Sequence, residues 1–508
     1  MTLRPILAIC GTTGVGKSKL AIELALAISN ASKNNPSYPW QGARVINADA
    51  MQVYAGMDIL TNKVTEEEQC GVEHLLMGFK KPGEQYVVGQ WVKDAISAID
   101  ESHQQRKLPI VVGGTSYWIQ HLVFPGRLVS SPEETNSDLR KGAPSAPLAI
   151  ALEATPPNLL DTYNNLPDEP PSADTHPEEA YSLHSLLSSL DPIVASRWHW
   201  KDTRKVLRSL QIIKQTGRLS SDIIREQAKT VPEPRYRTLF LWLYAKPEVL
   251  HPRLDVRVDE MMQRGLLQEV KELTELANDS ISISQEHTGE STQETDYTLG
   301  IYQSIGYREF SQYLSSPHTP MREKTYANAI ERMKISTRKY AKKQVRWIRN
   351  SLLPMVNAVN GTEVERQIVP AYLLDATELG DSWNTNVRQV AEQITQDFLS
   401  ERPLLAPLSL SEAAREMLSI PEKATNPEAK LEARRKAICP ICTLDETQPV
   451  MIEEGREWQA HIGTRVHKRL AQKAKGSPDE QQRDRRRGNP DQGDANVDFN
   501  LSSLGNEQ

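Results

Sequence analysis

Gly11-Thr12-Thr13-Gly14-Val15-Gly16-Lys17-Ser18 fits the phosphate-loop pattern G-x-x-x-x-G-K-[ST] at every fixed position. The apolar run Ile6 to Cys10 precedes it and reads as a buried strand, and Lys19 to Ile28 repeats its apolar positions at helical spacing. A strand, a glycine-rich turn and a helix start are what this motif needs: backbone N–H groups and the helix N-terminus then converge on an anion. Lys17 adds a point charge on the terminal phosphate and Ser18 a ligand for Mg²⁺. The motif specifies a diphosphate and leaves open what carries it.

Outward from the loop, residues 1–127 alternate strand and helix signals, as a parallel α/β sheet requires. Ala43 to Asn47 and Leu108 to Val112 are strands, Val92 to His103 is a helix, and Tyr236 to Tyr244 is the strongest strand signal in the chain. Pro, Ser, Glu and Asn dominate 128–180, which reads as a polar insertion at least partly without fixed structure, ordered again from Ala180. The expected fold is a P-loop NTPase-like parallel sheet core (1–127 and 201–400) with a helical insertion domain (128–200). A linker (401–436), a C-terminal C2H2-type zinc finger (437–473) and a loose tail (474–508) complete it. A long helix is expected over Pro247–Ala277, a second polar insertion over 278–296 and a basic helix over Tyr326–Asn350.

Bulk properties narrow the classes. The 508 residues allow two or three domains, and 38% apolar content is low for a wholly folded chain. Four cysteines argue against a disulfide-stapled secreted protein, and Cys10 and Cys70 read as buried apolar side chains. No apolar run is long enough to span a membrane. The core starting at about residue 4 leaves no room for a targeting segment, so the expected compartment is the cytosol, with basic stretches 465–475 and 483–487 that permit nuclear entry but no mitochondrial signal.

A hydrolytic phosphate-loop enzyme places a second carboxylate at the end of a core strand. Here the natural strand, Leu108 to Val112, ends in Gly113-Gly114-Thr115. The nearest useful acid is Asp49, just past the second strand, at the carboxyl edge where ligands of α/β sheets bind. It is a candidate general base, the bland alternative being a helix cap at Ala50–Met51. Arg204 and Arg208, four apart, share a helix face and make a fork for phosphate oxygens, unless that face is merely solvated.

The ordered set Gly11–Ser18, I-N-A-D-A-M-Q-V-Y (46–54), T-N-K (61–63), P-I-V-V-G-G-T-S-Y (109–117) and D-T-R-K-V-L-R-S-L-Q (202–211) resembles the tRNA dimethylallyltransferases of eukaryotic type, also called tRNA isopentenyltransferases. The motifs R-L-D-V-R-V-D-E-M (253–261), Q-S-I-G-Y-R-E-F (303–310) and T-R-K-Y-A-K-K-Q-V-R-W (337–347) extend it over most of 1–350. The resemblance implies transfer of a dimethylallyl group from its diphosphate to N6 of adenine 37 in a tRNA anticodon loop. It implies that Thr13, Arg208 and Arg204 hold the diphosphate with the loop, that Asp49 takes the N6 proton, and that Gln52 and Thr115 hold the nucleotide. Ala50, Met51, Gln303, Gly306, Tyr307, Arg338, Lys342, Lys343 and Arg346 join the expected tRNA-binding set. The expected cofactors are Mg²⁺ and structural Zn²⁺, and the protein is expected to act as a monomer.

Two further features agree. Residues 322–349 hold ten Lys/Arg against two Glu inside a chain of net charge −6, a pattern suited to phosphates, although a solvated basic helix looks the same. Tyr340 and Trp347 there are candidates for packing or stacking. Cys439-x₂-Cys442 and His461-x₅-His467 supply two thiolates and two imidazoles for a closed Zn²⁺ site, with Arg465, Lys468 and Arg469 beside it. The alternatives are an adenylate isopentenyltransferase acting on a free nucleotide, a P-loop small-molecule kinase, and a non-catalytic zinc-finger RNA-binding protein.

Overall fold

The computed structural model describes residues 3–126, 144–288, 300–315, 321–361, 367–420 and 435–474. The chain forms two units, Met1–Leu139 with Arg225–Pro427, and Arg140–Ile224 with Glu428–Gln508.

The first unit is built on six parallel strands, β1 (Pro5–Gly11), β2 (Gly42–Asn47), β3 (His74–Leu75), β4 (Lys107–Val112), β5 (Arg237–Tyr244) and β6 (Ala371–Asp375), in the order β3-β2-β4-β1-β5-β6. Both faces are covered, so the strands are apolar throughout and their alternation serves two cores. Ile6, Ala8, Cys10, Phe240 and Trp242 face one. Leu7, Ile9, Leu239, Leu241 and Leu243 face the other. Burial pushes the Cys10 thiol up to about 12, so it is an inert apolar group as expected. Cys70 differs: it is exposed, in a left-handed turn at φ 52 after a one-turn helix.

Several expectations are corrected. The expected Pro247–Ala277 helix is two, Pro247–Gln263 and Leu266–Thr288, broken at Gly265, whose φ of +104 no helix continues through. The second helix runs well into the expected insertion 278–296, of which 289–296 lies outside the described residues. The expected linker carries the helix Glu412–Leu418, capped by Ser411, with Ala413, Ala414 and Met417 buried in the first core. The tail beyond Ala474 lies outside the described residues.

In the second unit, Ala146–Glu153, Pro157–Asn164, Pro177–Leu190 and Thr203–Thr216 are helices. Leu148, Leu183, Leu187, Val206, Leu210 and Ile213 join them in one apolar cluster. Most of the expected loose insertion is therefore folded, residues 127–143 lying outside the description, and 201–224 pack with it instead of with the sheet. The Cys/His segment is seated on the same helices. Trp200, fully buried, donates from Nε1 to the Pro449 carbonyl at 2.7 Å, and Lys436 Nζ donates to the Arg197 carbonyl at 2.8 Å. Its ribbon pairs β7 (Lys436–Ile438) with β8 (Met451–Glu453) antiparallel.

Candidate active site

The phosphate loop joins β1 to the Lys17–Asn34 helix. Gly16, at φ +90, is the turn that opens the helix, and a Cβ there would strike the Trp383 ring at 2.6 Å. Trp383 is fixed over the loop because its Nε1 donates to Glu23 Oε2 at 3.0 Å and Lys19 Nζ lies 4.7 Å from its ring centre. Lys17 Nζ donates to the Thr12 carbonyl at 2.7 Å. Loss of hydration lowers its pKa to about 8, with Asp49 opposing and Arg257 adding to the shift. Ser18, the second residue of that helix, is half-buried. The buried Thr12 hydroxyl has no partner among the described residues and borders a cavity of about 130 Å³ whose other walls include Tyr244, Leu250, His251, Ala341 and Val345.

Asp49 is the second residue past β2. Its N–H donates to Asn47 Oδ1 at 3.0 Å, and its Oδ1 accepts from Met51 N–H at 3.1 Å. No helix starts at Ala50–Met51, so the expected alternative of a helix cap reduces to a turn closed by one carboxylate oxygen. The other, Oδ2, lies 3.0 Å from where a Cβ on Gly114 would be. Thr115 Oγ1 accepts from Ala50 N–H at 3.0 Å and ties the Gly113-Gly114-Thr115 turn to the Asp49 turn.

Three side chains complete the site, of which sequence reading did not single out Gln344 and Arg257 and named Tyr340 only for packing or stacking. Gln344, on the basic helix Met321–Trp347 and buried, accepts from Thr13 N–H at 2.9 Å and donates to the Gly114 carbonyl at 3.1 Å, bridging the two loops. Tyr340, one turn earlier, turns its hydroxyl toward Thr115 and Gln344; burial first and then Asp49 hold its pKa well above the usual phenol range. It is part of the pocket wall and not a stacking surface. Arg257 donates to Thr13 Oγ1 at 3.1 Å and to Asn62 Oδ1 at 3.0 Å, with its pKa lowered chiefly by burial. The only signal for it was its place in R-L-D-V-R-V-D-E-M, and for Gln344 its place in Y-A-K-K-Q.

The other expected site residues fall into separate groups. Gln52 spends its amide N–H groups on the Thr61 and Asn62 carbonyls at 3.1 and 3.0 Å, so it shapes the Thr61–Lys63 turn. Gly306 and Tyr307 are buried, Tyr307 only 3% exposed, and hold the Tyr307–Leu314 helix in the core instead of meeting solvent; Gln303 is exposed. Arg338 is paired with Asp255, and Lys334 with Asp259 at 2.8 Å. Lys339, Lys342, Lys343 and Arg346 form the exposed basic face. Arg204 is exposed and Arg208 half-buried on the Thr203–Thr216 helix of the second unit.

In the second unit the donor atoms of Cys439, Cys442, His461 and His467 all lie within 4.8 Å of one another. His467 Nδ1 is 3.5 and 3.4 Å from the two sulfurs and 3.2 Å from His461 Nε2. Tetrahedral bonds of about 2.0–2.3 Å to one zinc ion put ligand atoms roughly 3.3–3.8 Å apart, and the three separations from His467 lie near that range, so these four residues could hold such an ion.

Sheet order, loop and flanking turns define a P-loop α/β protein that keeps its nearest acid at the end of β2. The chain belongs to the IPP transferase family, which matches residues 52–351. It is 33% identical to the tRNA dimethylallyltransferase of Schizosaccharomyces pombe, with 93% of this chain and 96% of that one covered. It is 35% identical to the Saccharomyces cerevisiae enzyme of the same name (92% and 91% covered) and 29% identical to the human one (96% and 94%). Its structure is similar, at TM-score 0.67 and 31% identity, to a crystal structure of a eukaryotic dimethylallyltransferase acting on tRNA, covering 95% of this chain and 99% of that one. Among the described residues no helix is long and apolar enough to cross a membrane.

Proposed function

We propose that this protein transfers a dimethylallyl group from dimethylallyl diphosphate to N6 of adenine 37 in tRNA anticodon loops. The observation that carries the reading is the convergence of the Asp49 carboxylate, the Lys17 ammonium and the Tyr340 hydroxyl between the phosphate loop and the Gly114 turn. The C–N bond forms as the C–O bond to diphosphate breaks, and the N6 proton passes to Asp49. An exocyclic amine is a weak nucleophile, so removing that proton and stabilising the departing diphosphate both lower the barrier. Lys17, the loop N–H groups and Thr13, oriented by Arg257, face the leaving group. The largely apolar walls of the cavity beside Thr12 suit a short hydrocarbon. The adenine must leave its stack to reach Asp49, with Thr115 and the Ala50–Met51 turn lining the way in.

Mg²⁺ belongs to the proposal. Ser18 offers one hydroxyl and β4 ends without an acid, a sparse donor set that suits an octahedral ion held mainly by diphosphate oxygens and water. It would supply positive charge to the departing diphosphate. Cys439, Cys442, His461 and His467 would hold a structural Zn²⁺, leaving Arg465, Lys468 and Arg469 to meet RNA phosphates. Lys342, Lys343 and Arg346 would do so from the basic helix. The diphosphate roles of Arg204 and Arg208 rest on the family resemblance. A single chain acting in the cytosol, with access to the nucleus, completes the assignment.

The test is to incubate the protein with labelled dimethylallyl diphosphate, Mg²⁺ and either tRNA or AMP. Label is expected on tRNA at adenine 37. Label on AMP alone refutes the proposal in favour of an adenylate isopentenyltransferase, and label on neither refutes prenyl transfer.

A further inference from the structure

We propose that Trp347 and Tyr117 form a stacking platform for an unpaired base within about three positions of the extruded adenine, an inference that rests on the tRNA reading above. Both rings are 37% exposed, an unusual state for two adjoining large aromatics in a unit with two well-filled cores. They meet edge to face, centroids 5.5 Å apart and planes at 85°, and His121 supports Tyr117 from 4.5 Å at 80°. The pair is thus a braced surface and not two loose side chains.

Its place relative to the chemistry is fixed by two separate segments. Tyr117 follows two residues after Thr115, which is bonded to the turn carrying Asp49. Trp347 lies seven residues beyond Tyr340 on the basic helix, so two turns bring it to the same face about 10 Å further along. Both segments therefore leave the Asp49 pocket side by side and end in this pair. Stacked bases rise about 3.4 Å each, so about 10 Å accommodates up to three nucleotide steps. Lys343, one turn before Trp347, and Arg346 are exposed beside it and complement the phosphates of the same strand. An aromatic face with flanking cations takes a base without demanding its identity.

The experiment uses the full chain with tRNA anticodon hairpins carrying an abasic site at each of the three positions on either side of adenine 37. Transfer kinetics and hairpin binding by fluorescence anisotropy are read for the native protein, Trp347→Ala, Trp347→Phe and Tyr117→Ala, with thermal melts of each. Trp347→Ala should raise KM and Kd for the intact hairpin about tenfold or more, with kcat little changed, and Trp347→Phe should restore most of the loss. One abasic position should weaken the native protein by a similar factor and weaken Trp347→Ala no further. The proposal is overturned if Trp347→Ala binds the intact hairpin as the native protein does. It is equally overturned if Trp347→Ala loses the same factor on every abasic hairpin, because the ring then serves packing alone. If no hairpin is prenylated by the native protein, the functional reading fails, while the anisotropy series still decides the platform.

Discussion

Gly114→Ala probes the geometry around Asp49 with one methyl group. The added Cβ would stand 2.6 Å from Gln344 Nε2, 3.0 Å from Asp49 Oδ2 and 3.6 Å from the Tyr340 hydroxyl. Ordinary contact begins at 3.4 Å, so the Gln344 amide must retreat by about 0.8 Å. It cannot do so and keep its bonds to the Gly114 carbonyl at 3.1 Å and to Thr13 N–H at 2.9 Å. The carboxylate needs a smaller shift, a few tenths of an ångström. Overfilling of this kind costs about 1–3 kcal/mol of stability, which a protein of this size survives. A misplacement approaching 1 Å among reacting groups costs roughly 10²-fold in rate. Single-turnover transfer at saturating substrates should therefore slow about 10²-fold, while tRNA binding in a filter assay changes little. A native rate constant in Gly114→Ala would refute the placement of the reacting nitrogen between Asp49 and this turn.

Asp49→Asn keeps an Oδ1 to accept from Met51 N–H, so the fold should hold while transfer drops about 10²–10⁴-fold with tRNA affinity retained; undiminished transfer removes Asp49 as the base. Gln344→Leu leaves Thr13 N–H without its acceptor, and calorimetry should show weaker binding of inorganic diphosphate along with a lower melting temperature; unchanged affinity would mean the bridge does not shape the loop. Elemental analysis is expected to find one zinc ion per native chain and none in Cys439→Ser, in which 435–474 should be open to proteolysis while diphosphate binding by the sheet unit stays intact. Native zinc content in that variant would rule out the Cys/His site.

What could be read from the sequence was what is local. β1, β2, β4 and β5 are continuous apolar runs bounded by turns, and the phosphate loop is contiguous. β3 has two residues and β6 five, too short to announce themselves, and both exist because neighbouring strands offer an open edge. The insertion misled for a physical reason. Its prolines were read as loop signals, yet Pro157 and Pro177 stand in the first turns of helices, where the missing N–H is not needed. Charge counting found the basic helix but could not show that Arg338 and Lys334 are matched to acids on the Pro247–Gln263 helix. Gln344 and Arg257 reach Thr13 across 331 and 244 residues of chain. Nothing near either one marks it as a partner of the loop. The seating of the Cys/His segment on the insertion helices through Trp200 is a contact of the same long-range kind.

The missing acid at the end of β4 is a consequence of how closely that strand's turn approaches its neighbour. A Cβ on Gly113 would lie 2.1 Å from the backbone carbon and oxygen of Ala48, a collision no rotamer relieves. An aspartate at that position, where a nucleotide hydrolase would use one, is excluded by backbone and not by choice of side chain. The same approach draws the β4 turn onto the segment following β2, with Thr115 N–H donating to the Ala48 carbonyl at 3.2 Å and Ala50 N–H to Thr115 Oγ1 at 3.0 Å. Asp49 is held between these two bonds, one oxygen committed to its own turn and the other left facing Gly114. A carboxylate so placed is beside the phosphate loop but offset from the strand adjacent to it, which suits taking a proton from an incoming nucleophile better than gripping a metal under the phosphates. The pair of glycines therefore accounts together for the absent metal-binding acid and for the position of the base.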